Sequence, residues 1–72
     1  MDMRQLVGRN VKRFRLAADL TQEQLAVRSG FGQQYISDLE RGRRNPTILS
    51  LYELAQALST TPAALVSPPC DD

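Results

Sequence analysis

The sequence contains no histidine and only one cysteine, Cys70. With one thiol no internal disulfide can close, and without histidine a Cys/His metal site cannot be assembled. The same two absences remove the usual materials of acid–base and nucleophilic catalysis. No P-loop or dinucleotide fingerprint is present either. Neither an enzyme nor a cofactor, metal or small-molecule ligand is expected. No run of about 18 apolar residues occurs, so no membrane span is expected. The opening MDMRQLVGRN is too polar for a signal peptide. Strand-like alternation is missing as well. Finally, residues 47–72 lack any basic side chain: all nine Lys and Arg lie in 1–46, beside five acids, whereas 47–72 hold three acids. A basic front and an acidic back fit an anionic partner on one side.

What the sequence does have is helical periodicity. A chain of 72 residues can bury one modest core, and without disulfide or metal its stability must come from helix packing. Val7, Val11, Phe14 and Ala18 fall on one face of a helix over about Met3 to Ala18. Thr21-Gln22-Glu23-Gln24 has capping-box spacing and opens a second helix, with Leu25, Ala26 and Ser29 inward and Gly30 as its stop. A third helix is expected over Gln33 to Arg41, stopped by Gly42 and followed by the basic loop RGRRNP. Thr47 can cap a fourth helix that repeats Ile48, Leu51, Ala55 and Leu58 on one face, and Pro62 suits the first turn of a fifth, Pro62 to Val66. The expectation is an all-α, five-helix domain over 1–66, with 67–72 as a flexible tail carrying Cys70.

Two adjacent glutamines open the third helix. On a wheel of about 100° per residue, Ile36, Leu39 and Glu40 fall on one side, while Gln34, Ser37, Asp38 and Arg41 fall on the other, with Gln33 at the boundary. A major groove about 12 Å wide admits a helix, and a glutamine amide can pair bidentately with adenine. Helix-turn-helix proteins read bases with the N-terminal residues of their second motif helix. Double-stranded DNA is thus the expected partner.

The stretch LTQEQLAVRSGFGQQYISDLERGRRNPTILSLYELAQAL resembles the helix-turn-helix domain of the Cro/C1 (XRE-type) regulators, over roughly Leu6 to Val66. The motif is carried by Thr21-Gln22, Leu25-Ala26, Gly30, Ile36-Ser37, Glu40, Gly42, Pro46 and Leu54-Ala55 before Leu58. The resemblance implies a repressor-like fold whose helices 2 and 3 form the motif, and a small transcriptional regulator, a repressor, in a bacterial or phage-encoded cytoplasmic setting. By position it implies base contacts from Gln33, Gln34, Ser37 and Asp38. It also implies backbone contacts from Gln22, Arg43, Arg44 and Asn45, and a structural salt bridge between Arg15 and Glu40. The wheel supports that pair independently, since Glu40 lies toward the buried side of its helix and Arg15 flanks the buried stripe of the first.

Gly32 stands where Ser or Thr would cap the recognition helix, which weakens the cap by a few tenths of a kcal/mol, on the order of 0.3. Asp38 can accept from cytosine N4 or pair with Arg41 at i+3, and repulsion from phosphates favours the pair. Tyr35 and Arg41 are further backbone candidates, Tyr35 being equally suited to edge the core. Arg9, Lys12, Arg13 and Arg28 are either phosphate contacts or ordinary solvated charges, and Leu16 falls opposite the apolar stripe of its helix.

One recognition helix reads too few base pairs to select a genomic site, so a weak homodimer assembled on a palindromic operator is expected. Its interface is expected at the acidic C-terminal end, from Leu58, Ala64, Leu65 and Val66. The competing reading is a protein-interaction module of the same fold, such as an antitoxin-like partner-binding protein.

Overall fold

The computed structural model describes residues 2–68. The chain order is α1 (Met3–Ala17), α2 (Gln22–Ser29), α3 (Gln33–Glu40), α4 (Ile48–Ala57) and α5 (Pro62–Val66). Four of the five starts are fixed by side-chain caps. Asp2 accepts from the Arg4 N–H, Thr47 from Ser50 and Thr61 from Ala64, and Thr21 and Gln24 form a reciprocal capping box. The Arg4 backbone N–H also holds the Asp2 carboxyl below its ordinary range. Chain reversals follow at residues with left-handed backbone: Gly30 after α2 and Gly42 after α3, but also Asp19 after α1 and Ser59 after α4.

The core gathers Val7 and Val11 of α1, Leu25 and Ala26 of α2, Ile36 and Leu39 of α3, Leu54, Ala55, Ala57 and Leu58 at α4, and Leu65 of α5. Phe14, Leu20, Phe31, Tyr35, Leu51 and Val66 close its edges. Helix α1 packs on both α3 and α5, while α2 packs on α3 and α4. The α1–α3 crossing is close enough that a Cβ on Gly8 would collide with the Leu39 carbonyl oxygen, so glycine is required there for the backbones to approach.

Three expectations need correction. Ala18 is exposed: α1 ends at Ala17, and the buried stripe runs instead through Leu6, Val7, Asn10, Val11 and Arg15. Ile48 is not inward, because the first turn of α4 projects past the helices that cover its later turns, leaving Ile48 85% exposed. Arg41 caps α3 rather than belonging to it, since the helix stops at Glu40. The 67–72 tail, with Cys70, lies largely outside the described residues.

The polar interior is satisfied: among the described residues no buried side-chain nitrogen or oxygen lacks a partner. Asn10 is almost fully enclosed and donates from Nδ2 to the carbonyls of Leu65 and Ser67, both at 2.8 Å. These are carbonyls at the end of α5, where a helix leaves acceptors unfilled.

Candidate nucleic-acid interface

The site begins with a capped α2, a left-handed glycine and a two-residue turn. The Gly30 N–H donates to the Ala26 carbonyl, closing α2. Gly32, at the N-cap of α3, supplies no side-chain hydrogen bond. Phe31 and Tyr35 instead stack across that junction, ring centroids 4.7 Å apart and planes 20° from parallel. This contact sets the entry angle of α3 much as a hydrophobic staple does. Ile36 and Leu39 anchor the helix in the core. Gln33 and Gln34 are exposed at its leading end, and Ser37 and Asp38 are half-buried a turn later.

A buried ion pair holds α3 from behind. Arg15 Nε donates to Glu40 Oε2 at 2.6 Å and Arg15 Nη2 to Oε1 at 3.1 Å, while Nη1 donates to the Leu20 carbonyl at 2.8 Å. Gln22 joins this group, its Nε2 donating to Glu40 Oε1 at 3.1 Å. One Nε2 hydrogen of Gln22 is therefore committed to α3, and its second N–H and its carbonyl oxygen remain for other contacts.

The basic loop folds back over α3. Gly42 adopts φ +78°, and the Arg43 N–H returns to the Asp38 carbonyl at 2.9 Å. That turn delivers Arg44 to Asp38, Nη2 to Oδ2 at 3.7 Å, with the guanidinium 5.3 Å from the Tyr35 ring centroid. The expected partnership of Asp38 with Arg41 is thereby overturned. Once the helix ends, Arg41 turns toward α1, where it lines a shallow cleft with Gln5, Arg9 and Glu40. Asp38 instead forms an ion pair with Arg44 and accepts a hydrogen bond from Gln34, whose Nε2 lies 3.0 Å from Oδ1. Arg43, Arg44 and Asn45 are all exposed beside this face. Tyr35 edges the core through Phe31 and carries the Arg44 guanidinium over its ring.

Of the remaining candidates, Arg13 donates to Asn10 Oδ1 at 3.3 Å and lies over Phe14, so it is engaged within the domain. Arg9, Lys12 and Arg28 are exposed, as is Leu16. The C-terminal interface residues fare differently. Leu58 and Leu65 are 5% and 0% exposed and belong to the core, so they cannot meet a second chain; Ala64 and Val66 are half-buried. Three exposed apolar side chains fall together at the start of α4, where Ile48, Leu49 and Tyr52 are 85%, 73% and 50% exposed; Met3 and Leu16 of α1 and Val27 of α2 are exposed elsewhere. Among the described residues, no helix is long and apolar enough to cross a membrane, and no cluster of acidic and cysteine side chains could hold a metal ion.

A core-anchored helix presenting polar side chains, with a basic loop at its end, is the geometry of a helix-turn-helix DNA reader. A helix-turn-helix family model, HTH_3, matches residues 11–65, and the chain belongs to this family, the Cro/C1 (XRE-type) group, as a DNA-binding transcriptional regulator. It is 62% identical over 68 residues to the HTH-type transcriptional regulator y4dJ of Sinorhizobium fredii, a match spanning 94% of this chain and 88% of that one. The crystal structure of the hypothetical transcription factor NHTF from Neisseria superposes with TM-score 0.90 at 32% identity, covering 94% of this chain and 78% of the other. The restriction-modification controller protein C.Esp1396I, solved as a tetramer with its natural 35 base-pair operator, superposes with TM-score 0.82 at 34% identity over 90% of this chain and 86% of its own.

Proposed function

We propose that this protein is a repressor that binds a palindromic operator as a homodimer formed on the DNA. Gln33, Gln34 and Ser37 face the bases, with Asp38 beside them. Gln22, Tyr35, Arg41, Arg43, Arg44 and Asn45 grip the flanking backbone. The observation that carries the reading is the exposed face of α3, whose glutamines stand clear at the leading end while the Gly42 turn folds an arginine-rich loop against the same face. The operator-bound relative supports DNA as the partner. The setting is the cytoplasm, where such an operator is found.

The second copy meets the first through Ile48, Leu49 and Tyr52 of α4. This patch follows directly on the basic loop, so pairing there keeps both loops at one DNA surface. Three side chains form a small contact beside the roughly 1,200–2,000 Å² of a standard interface. The free dimer is accordingly weak, and the operator brings the copies together.

Selection of bound duplexes from a randomised pool tests the reading. An inverted repeat with half-sites about 34 Å apart is expected, and inserting about five base pairs between them should abolish cooperativity. Leu49→Asp should leave half-site binding intact and remove the cooperative gain. Recovery without sequence preference would overturn the proposal.

A further inference from the structure

Gln34 and Asp38 lie one helical turn apart on the exposed face of α3. Gln34 Nε2 donates to Asp38 Oδ1 at 3.0 Å. Asp38 is itself held, since its second oxygen faces Arg44 at 3.7 Å and Arg44 rests on Tyr35, which is stacked on Phe31. The carboxylate is only 20% exposed, against 48% for the Arg44 side chain. It is a fixed acceptor in the flank of the face that presents the glutamines.

A glutamine amide that can rotate has two ways of meeting a base. It can turn its NH₂ outward and offer two donors, or stand edge-on and offer one donor and one acceptor. Donation to Asp38 consumes one N–H and points Oε1 away from the carboxylate. What remains outward is one N–H beside one carbonyl oxygen. In the major groove adenine offers an N6 amino donor beside the N7 acceptor and complements that pair; guanine offers two acceptors, O6 and N7, and would set an oxygen against Oε1. We infer that Asp38 is a specificity-determining positioning residue, which orients the Gln34 amide for adenine and against guanine at one base pair without itself contacting DNA. The inference rests on Gln34 reading a base, as proposed above. It also explains how a carboxylate is tolerated on a DNA-facing helix: both of its oxygens are already engaged.

The test is selection from a randomised duplex pool with the wild-type protein, Gln34→Ala, Asp38→Ala and Asp38→Asn, with melting curves to establish that each variant is folded. Wild type should enrich adenine at one position of each half-site, and Gln34→Ala should erase that preference. Asp38→Ala should lower the adenine-over-guanine ratio there by about tenfold, the scale of discrimination by one bidentate pair, and leave other positions unchanged. Asp38→Asn keeps an acceptor for Gln34 and should retain most of the ratio. An Asp38→Ala profile that matches wild type while Gln34→Ala loses its preference overturns this inference alone. So does an equal loss in Asp38→Asn and Asp38→Ala, or a loss spread over all positions. A Gln34→Ala profile that matches wild type overturns the base-reading role of Gln34, and the inference with it.

Discussion

Helix α3 carries two carboxylates two residues apart, and they lead different lives. Glu40 faces inward, 4% exposed, with Arg15 at 2.6 Å; Asp38 faces outward, 20% exposed, with Arg44 at 3.7 Å. Each is ion-paired. The buried pair is bidentate, draws in Gln22 and reaches the Leu20 carbonyl, so it ties α1, α2 and α3 into one assembly. The outer pair has a solvated arginine and a longer contact. Water already screens much of its attraction, so it contributes little to folding; its part is to hold Asp38 beside Gln34 on the exposed face. Burial, more than pairing, decides whether a charge builds the scaffold or works at its surface.

The largest effect should come from breaking the inner pair. Arg15→Ala strands Glu40 in the interior and should cost about 3 kcal/mol in urea or thermal unfolding. Arg15→Met with Glu40→Leu should be far milder, because no buried charge is left without a partner. An Arg15→Ala protein that melts like wild type would erase the contrast between the two carboxylates.

Next is Gly8→Ala, which sets a methyl group against the Leu39 and Glu40 carbonyls. The neighbours are backbone and cannot swing aside, so a loss of about 1–3 kcal/mol is expected. Unchanged stability would mean that α1 and α3 can separate without disturbing the inner pair.

The outer region answers in binding. Arg43→Ala with Arg44→Ala should weaken association with all sequences. The slope of log K against log salt should fall by about 0.9 for each phosphate that is no longer neutralised. An unchanged slope would put the loop away from DNA. The smallest effect is on stability: Asp38→Ala should shift the unfolding free energy by less than about 1 kcal/mol. A loss as large as that of Arg15→Ala would show that the outer pair is structural after all.

Much of the scaffold was legible because local chemistry and tertiary packing agree in it. The Thr21 capping box, Gly30, Gly42 and Pro62 mark helix ends by backbone requirements that do not depend on the rest of the fold. Leu25, Ile36 and Leu39 are inward in both sequence and structure. Periodicity misled at Ile48, since it identifies an apolar face without saying whether another helix arrives to cover it. Asp19 and Ser59 take left-handed backbone conformations that a sequence marks plainly only at glycine. Gly8 is an ordinary helix residue until α3 crosses it. At the site, the face of α3 followed from a helical wheel, but the partner of Asp38 did not. Spacing along a helix suggested Arg41, whereas the Gly42 turn brought back Arg44.

Helix α5 spans five residues, too few to persist alone in water. Asn10 fills carbonyls at its end from α1, and Leu65 is sealed in the core. The protection of its amide hydrogens against exchange with solvent is therefore borrowed. The α5 amides should exchange together with those of α1 in a single opening unit, although more than forty residues separate the two helices along the chain.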